Sequence, residues 1–447
     1  MQYKELTEKL VKRCLQKGAD EAEVYLQSSR NLRIEVHNGD IETIQEAASH
    51  GVGFRIFLKG RMAFSSCNDF SEKAMDDAVA SAIRFAENAT PDENNALPDD
   101  KGTTAVEGLY DSQIFHVPMQ EKIELAKRVE KLAMKDVRIT KSGGARYSEG
   151  DGEIFLASSQ GLLKSYKSSS CSLYTMVVAE RGEQKSTGDE MCSRRFFSDL
   201  ETPETIAEKA AKNAYEMLDP QMIKTQRAAV IFDPDVAYAI LGGILQAIHG
   251  ERVLQGASFL ARKLDQKITT ELVSLIDDGT LPKGLRSKPF DGEGVPTQKR
   301  VIVDRGILKG FMYNTIVAKR AGVKSTGNGV RRGYRNLPEI GPHHFYMSAG
   351  NNTPQDIIKA TERGLYLKEV TGYGINPFNG NFSGGASGFW VENGEIVFPV
   401  KGLTVAGAGL EMLNGIDMVA DDLDVNRGFM GLSTPTFRIK EMQIGGE

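Results

Sequence analysis

The chain has 447 residues, more than one hydrophobic core usually organises, so two domains are expected. An apolar content of 40%, a charged content of 26% and a net charge of −5 describe an ordinary globular protein. With no block of like charges, they argue against direct nucleic-acid binding as the main task.

No run approaches the roughly 18 apolar residues of a membrane span, and the N-terminus lacks the apolar core of a secretory signal. Cys14, Cys67, Cys171 and Cys192 are too scattered for a disulfide framework or a cysteine-built zinc site. A cytoplasmic protein is the expectation. In chain order, Leu6, Leu10, Val11 and Cys14 predict a helix over 4–17 that ends at Gly18. Leu32, Ile34 and Val36 alternate before a His37-Asn38-Gly39 turn, a hairpin signal. Strands over 51–58 and 62–66 flank Lys59-Gly60-Arg61, and a helix carrying Met75, Val79 and Ile83 opens near Ser71.

Residues 90–103 read as an exposed loop. Strand-like segments follow at 153–156, 162–166 and 172–179, then a helix with Thr202 as N-cap and Pro203 in its first turn. This order predicts a duplicated strands-then-helix unit. The fold class is α+β, with a boundary near Asp219-Pro220-Gln221. An N-terminal domain of antiparallel strands and helices covers 1–220. A Gly-rich, mainly β domain covers 221–447, with one long buried helix near 235–265 and another helix opening at Thr353-Pro354. Strands at 388–391, 395–400 and 435–442 are joined by tight turns, of which Asn393-Gly394 is the clearest.

Four blocks of the second half carry a pattern too regular for a linker. They are Asp277-Asp278-Gly279-Thr280, Phe290-Asp291-Gly292-Glu293-Gly294, Lys324-Ser325-Thr326-Gly327-Asn328, and the run from Val400 to Gly407. In this order they resemble the TldD/PmbA family, once described as modulators of DNA gyrase and linked to a two-subunit zinc peptidase. In TldD-type members a helix supplies His-Glu-x-x-x-His, and a Gly-x-Cys-Gly turn adds a thiolate. The resemblance places the helix motif on Gly242, Gly243 and Ala247, and the cysteine on Met430. Residues 236–248 contain no His, Glu, Asp or Cys, and a neutral thioether is a poor zinc ligand. The pattern resembles the PmbA (TldE) branch, which lacks the metal.

Other donors are weaker candidates. His249 and Glu251 follow the apolar helix, but two donors make no catalytic site, and a His there is more often a cap or a surface group. His343 and His344 are adjacent, and neighbouring strand residues face opposite ways. Asp417, Asp421, Asp422 and Asp424 lack the glycine and terminal glutamate of a calcium loop and read as a solvated loop. Ser383 and Ser387 do not meet the Gly-x-Ser-x-Gly elbow, and the run from Gly327 to Gly333 misses the dinucleotide fingerprint by one residue. Asn328, Arg331, Asn376, Asn379 and Ser383 offer amide, guanidinium and hydroxyl groups suited to peptide recognition in a groove. For any single one of them, satisfying loop backbone is the favoured reading.

The resemblance implies a subunit with no cofactor of its own. It would pair with a His-Glu-x-x-x-His partner that holds zinc, act on unfolded or processed peptides, and form a homodimer when alone. An adaptor that modulates gyrase or toxin–antitoxin systems without catalysis is the alternative. A third possibility is an independent hydrolase using Ser387, Cys192 or the acids of 417–424.

Overall fold

In the computed structural model, which describes residues 2–447, the first half is one six-stranded antiparallel sheet with helices on a single face. Its elements run α1 (Gln2–Gln16), β1 (Glu21–His37), β2 (Asp40–Leu58), β3 (Arg61–Cys67), α2 (Glu72–Asn88), α3 (Met119–Ala133), β4 (Ile139–Ser158), β5 (Leu163–Arg181), β6 (Gln184–Arg194) and α4 (Pro203–Tyr215). The order α-β-β-β-α thus occurs twice. The two copies join where β1 pairs with β4, giving the strand order β3-β2-β1-β4-β5-β6.

Local signals act as the sequence predicts. Asn38 and Gly39 both adopt positive φ at the β1–β2 turn. Ser71 and Thr202 cap α2 and α4 with their side chains. Strand length was underestimated, however: most of these strands run for 11 to 20 residues.

Alternation explains the one-sided helix layer. On β5, Cys171, Leu173, Thr175, Val177 and Ala179 are buried while the residues between them are half-buried. Leu10, Val24, Phe54 and Val79 form the core under α1 and α2. A second core under α3 and α4 contains Ile34, Val129, Tyr147 and Leu173.

The second half runs β7 (Gln226–Phe232), α5 (Ala237–Ala247), α6 (Gly250–Leu254), β8 (Leu275–Asp278), β9 (Lys299–Asp304), β10 (Ile307–Leu308), α7 (Thr315–Ala321), β11 (Gly329–Val330), β12 (Glu339–Ile340) and β13 (His344–Met347). It continues through α8 (Pro354–Lys359), β14 (Arg363–Ile375), β15 (Phe382–Glu392), β16 (Glu395–Gly407), α9 (Gly409–Asn414), β17 (Ile416–Val419), β18 (Leu432–Ser433) and β19 (Phe437–Gly445). Strands β16-β15-β14-β7-β19 form a sheet that β16 closes by also pairing with β19, while β17 extends it. A second sheet is ordered β10-β9-β8-β13-β18. Both sheets and α5 share one core that includes Val230, Ile240, Phe345 and Trp390.

The single helix expected over 235–265 is corrected. It is broken at His249, which is extended (φ −67°, ψ 117°) and bridges to Met312. Gly250 then lies against Tyr313, where an added Cβ would fall 2.3 Å from the ring. A contact with chain sixty residues away decides the break.

Candidate functional site

The signature blocks are buried, and they hold loops together. Asp277 accepts a hydrogen bond from the Asn328 amide at 2.7 Å and another from the His343 N–H at 2.8 Å. Burial pushes its carboxyl up to about 6. Asp291 accepts from the N–H groups of Glu293, Val295 and Gly329. Burial, and then the neighbouring Glu293, push it up to about 7. Glu293 reaches across to the first half, accepting from Arg55 at 2.9 Å, and also caps the Thr315 N–H at 2.7 Å.

That contact belongs to a larger junction. Arg55 also donates to Glu23 at 2.6 Å, and Arg331 pairs with the other oxygen of Glu23. All four of these side chains are essentially excluded from solvent. Tyr25, Leu156, Leu162, Phe290 and Tyr334 pack beside them and seal the junction with apolar surface.

The groove expectation is corrected for two of its five residues. Asn328 is fully buried and spends its amide on Asp277 and the Gly341 carbonyl. Arg331 donates to the carbonyls of Gly292 and Asn336 and to Glu23, so it serves the junction. Asn376 and Asn379 are exposed and accept from the N–H groups of Phe378 and Asn381 within one loop. Ser383 is exposed and lines a cleft of about 470 Å³ with Arg227 and Glu411. The structure therefore does not gather the five into one groove. Polar type alone could not separate buried loop ties from a binding surface.

The remaining candidates are placed as follows. His343 bonds the Gly327 carbonyl through Nε2 at 2.7 Å. His344 Nε2 accepts from the Arg286 N–H at 3.1 Å, so its Nδ1 carries the proton, toward the Val425 carbonyl. Burial lowers both imidazoles, to about 3 and about 4. His249 occupies the N-cap position of α6 without a side-chain capping bond, and Glu251 lies 3.8 Å from Arg320.

In the acidic stretch Asp417 lies on β17, Asp421 and Asp422 are exposed in the loop that follows, and most of the carboxylates have partners. Asp417 binds Arg438, Asp422 binds the Thr436 N–H and hydroxyl, and Asp424 binds Arg194. Ser387 is buried on β15, and the Cys192 thiol is buried and raised above its usual range by that burial. Among the described residues, neither side chain is hydrogen-bonded to an imidazole or a carboxylate, as an activated nucleophile would be.

The positions matched to zinc ligands offer no imidazole, carboxylate or thiolate, so they do not fit the ion. At Gly242, on the half-buried side of α5, an added Cβ would meet only Leu432, at 3.9 Å. Gly243 differs, for an added Cβ would lie 2.2 Å from the Ile375 carbonyl oxygen. The backbone of β14 occupies the room a carboxylate side chain would need. Ala247 is buried, and Met430 sits 62% exposed in a turn at φ +56°. Among the described residues, no three His, Cys, Asp or Glu side chains converge as a metal site.

Known proteins share this architecture along its whole length. Residues 22–86, 113–218 and 225–446 match domain 1, the central domain and the C-terminal domain of PmbA/TldA metallopeptidases. The metalloprotease PmbA of Escherichia coli O157:H7 is 30% identical over 433 residues, covering 96% of this chain and 93% of the relative. The crystal structure of TldE from Thermococcus kodakarensis is 26% identical, with a TM-score of 0.88 over 98% of this chain and 99% of that one. A proposed modulator of DNA gyrase from Bacteroides thetaiotaomicron is also 26% identical, with a TM-score of 0.90 over 99% of each chain. Sequence, domain order and fold together make this chain a member of the PmbA/TldD metallopeptidase family.

Proposed function

We propose that this chain is the metal-free subunit of a two-subunit metallopeptidase that acts on unfolded or processed peptides in the cytoplasm. One observation carries the reading: the ligand positions Gly242, Gly243, Ala247 and Met430 hold no donor, and at Gly243 the main chain of Ile375 fills the space. The partner is a family member with His-Glu-x-x-x-His, and its zinc supplies water activation and carbonyl polarisation. This chain contributes walls to the substrate chamber and pairs with itself when the partner is absent.

The test is metal content and hydrolysis of an unfolded protein, for the chain alone and after co-expression with such a partner. Metal and turnover in the mixture only are expected. Stoichiometric zinc with turnover in the lone chain would overturn the reading and direct attention to His249, Glu251, His343 and His344. A complex with gyrase that leaves proteolysis unchanged would favour the adaptor role instead.

A further inference from the structure

The first sheet has a second face, opposite its helices, and the second half of the chain covers only one end of it. Glu23, Tyr25 and Leu156 lie under the junction, whereas the stretch around Ser148, Ser172 and Ser193 is open. These three serines stand side by side on β4, β5 and β6. The Gly428–Gly431 turn overhangs them, and the space between is a cleft of about 610 Å³. That volume lies within the range of about 300–1,000 Å³ typical of small-molecule sites. The serine hydroxyls and that of neighbouring Ser170 make no hydrogen bond to other described residues.

Charge in this cleft is unbalanced. Four arginines line it (Arg33, Arg195, Arg286 and Arg427) against one acid, Glu149. Arg33 has Glu35 as its partner, Arg427 has Asp235, and Glu149 is taken by Lys122. Arg195 and Arg286 have no carboxylate among the described residues. Arg195 is only 6% exposed and donates solely to main-chain oxygens, those of Ser169, Gly284, Leu285 and Ser287. Arg286 donates from Nε to the His343 carbonyl at 3.0 Å and from Nη2 to that of Pro342 at 3.5 Å, and its Nη1 has no partner among the described residues.

Arg286 also lies directly on the overhanging turn, where a Cβ at Gly431 would fall 2.2 Å from its Cδ. Burial lowers both guanidinium groups, Arg195 to about 10, as expected for cations held by neutral oxygens. The nearby acid, Asp277, is itself committed to Asn328 and His343.

A half-buried guanidinium with free N–H groups, facing a cleft whose one acid is already held by Lys122, matches the fork geometry that carboxylates satisfy. We propose that this cleft binds the carboxylate of a short extended peptide. Arg286 is the charged anchor, Arg195 fixes the 284–287 loop that carries it, and the serine row meets the peptide main chain. That the carboxylate belongs to a peptide rests on the peptidase-subunit reading, whereas the preference for an anion rests on the arginines.

The experiment measures fluorescence anisotropy of labelled tetrapeptides of Ala and Phe with the metal-free chain alone. Three probes are compared: a free C-terminal carboxylate, a C-terminal amide, and an amide with one Glu. Either acid-bearing peptide is expected to bind, and the plain amide about tenfold more weakly or worse. Arg286→Ala removes the preference. Ser193→Tyr fills the cleft from its floor and blocks every probe, without touching a buried hydrogen bond.

Equal binding of acid and amide would overturn the proposal. So would no binding at millimolar peptide, or an intact preference in a folded Arg286→Ala protein. Such a failure leaves the peptidase-subunit reading standing, since that is judged by turnover in the two-chain mixture. Zinc-dependent turnover by the lone chain would sink the subunit reading without altering which peptides bind.

Discussion

Gly242 and Gly243 are neighbours on α5, yet a methyl group meets very different surroundings at each. At 243 it runs into the Ile375 main chain at 2.2 Å, and at 242 it touches only Leu432 at 3.9 Å. Gly243→Ala is therefore expected to cost about 1–3 kcal/mol, as overpacking against backbone does. Gly242→Ala should gain about 0.5–1 kcal/mol through helix propensity. Urea midpoints at unchanged slope would read both, and equal midpoints would mean that β14 yields.

His344 gives a pH-dependent counterpart. Burial lowers its imidazole from 6.5 to about 4, so the folded state resists the proton that the unfolded chain accepts. Its contribution is fully present above pH about 6.5 and is lost as pH falls toward about 4. Asp277, raised to about 6, has the opposite sign and offsets part of that loss. His344→Gln keeps an acceptor for the Arg286 N–H and removes the titration. The stability difference between pH 7.5 and pH 4.5 should therefore shrink in the variant, measured by denaturant unfolding. An unchanged difference would assign the acid limb to other groups.

At the scale of elements, the β1–β2 hairpin is held at its tip from outside. The buried Glu130 of α3 accepts the N–H groups of Asn38 and Gly39, each at 2.8 Å, and also the Ser142 hydroxyl. Glu130→Ala leaves two turn donors without their acceptor and should cost about 1–3 kcal/mol. Amide exchange should accelerate over residues 38–44 before it does elsewhere, and uniform acceleration would show that the tip is not a separate unit.

The turn itself was legible because Asn-Gly is a local signal, as it is again at Asn393-Gly394. The strands around it were not, since residues 44–50 of β2 are exposed on both faces and no alternation marks them. Long-range contacts hid the rest. His249 leaves the helix to meet Met312, and Arg331 carries a charge that ordinarily marks a surface but is buried on Glu23. The blank metal positions were legible for a different reason, because a missing donor needs no three-dimensional context. The carboxylate cleft had no such signature, since Ser148, Ser172, Ser193 and Arg286 come together only when β4, β5 and β6 meet the 284–287 loop.

For the whole molecule, the decisive feature is that buried ion pairs and apolar surface join the two halves. Glu23 and Arg55 come from the first sheet, and Glu293 and Arg331 from loops of the second half. Glu23 and Arg55 pair within the first half, and each also binds a partner from the second, Arg331 for Glu23 and Glu293 for Arg55, all in the dry interior. Separating the halves would strand buried charges and expose the cluster around Tyr25, Phe290 and Tyr334. One cooperative transition is therefore expected.

Trp390 is the chain's only tryptophan and is buried in the second half, so its emission reports that half alone. Far-UV circular dichroism reports both halves. The two signals should give superimposable denaturation curves in the wild type. Arg55→Met removes the cation shared by Glu23 and Glu293, which should cost about 3–5 kcal/mol. The first half loses its anchor while the second keeps its own core, so the dichroism midpoint should fall below the tryptophan midpoint. Curves that shift together would place the coupling in the apolar cluster, and split curves in the wild type would mean that the halves unfold independently from the start.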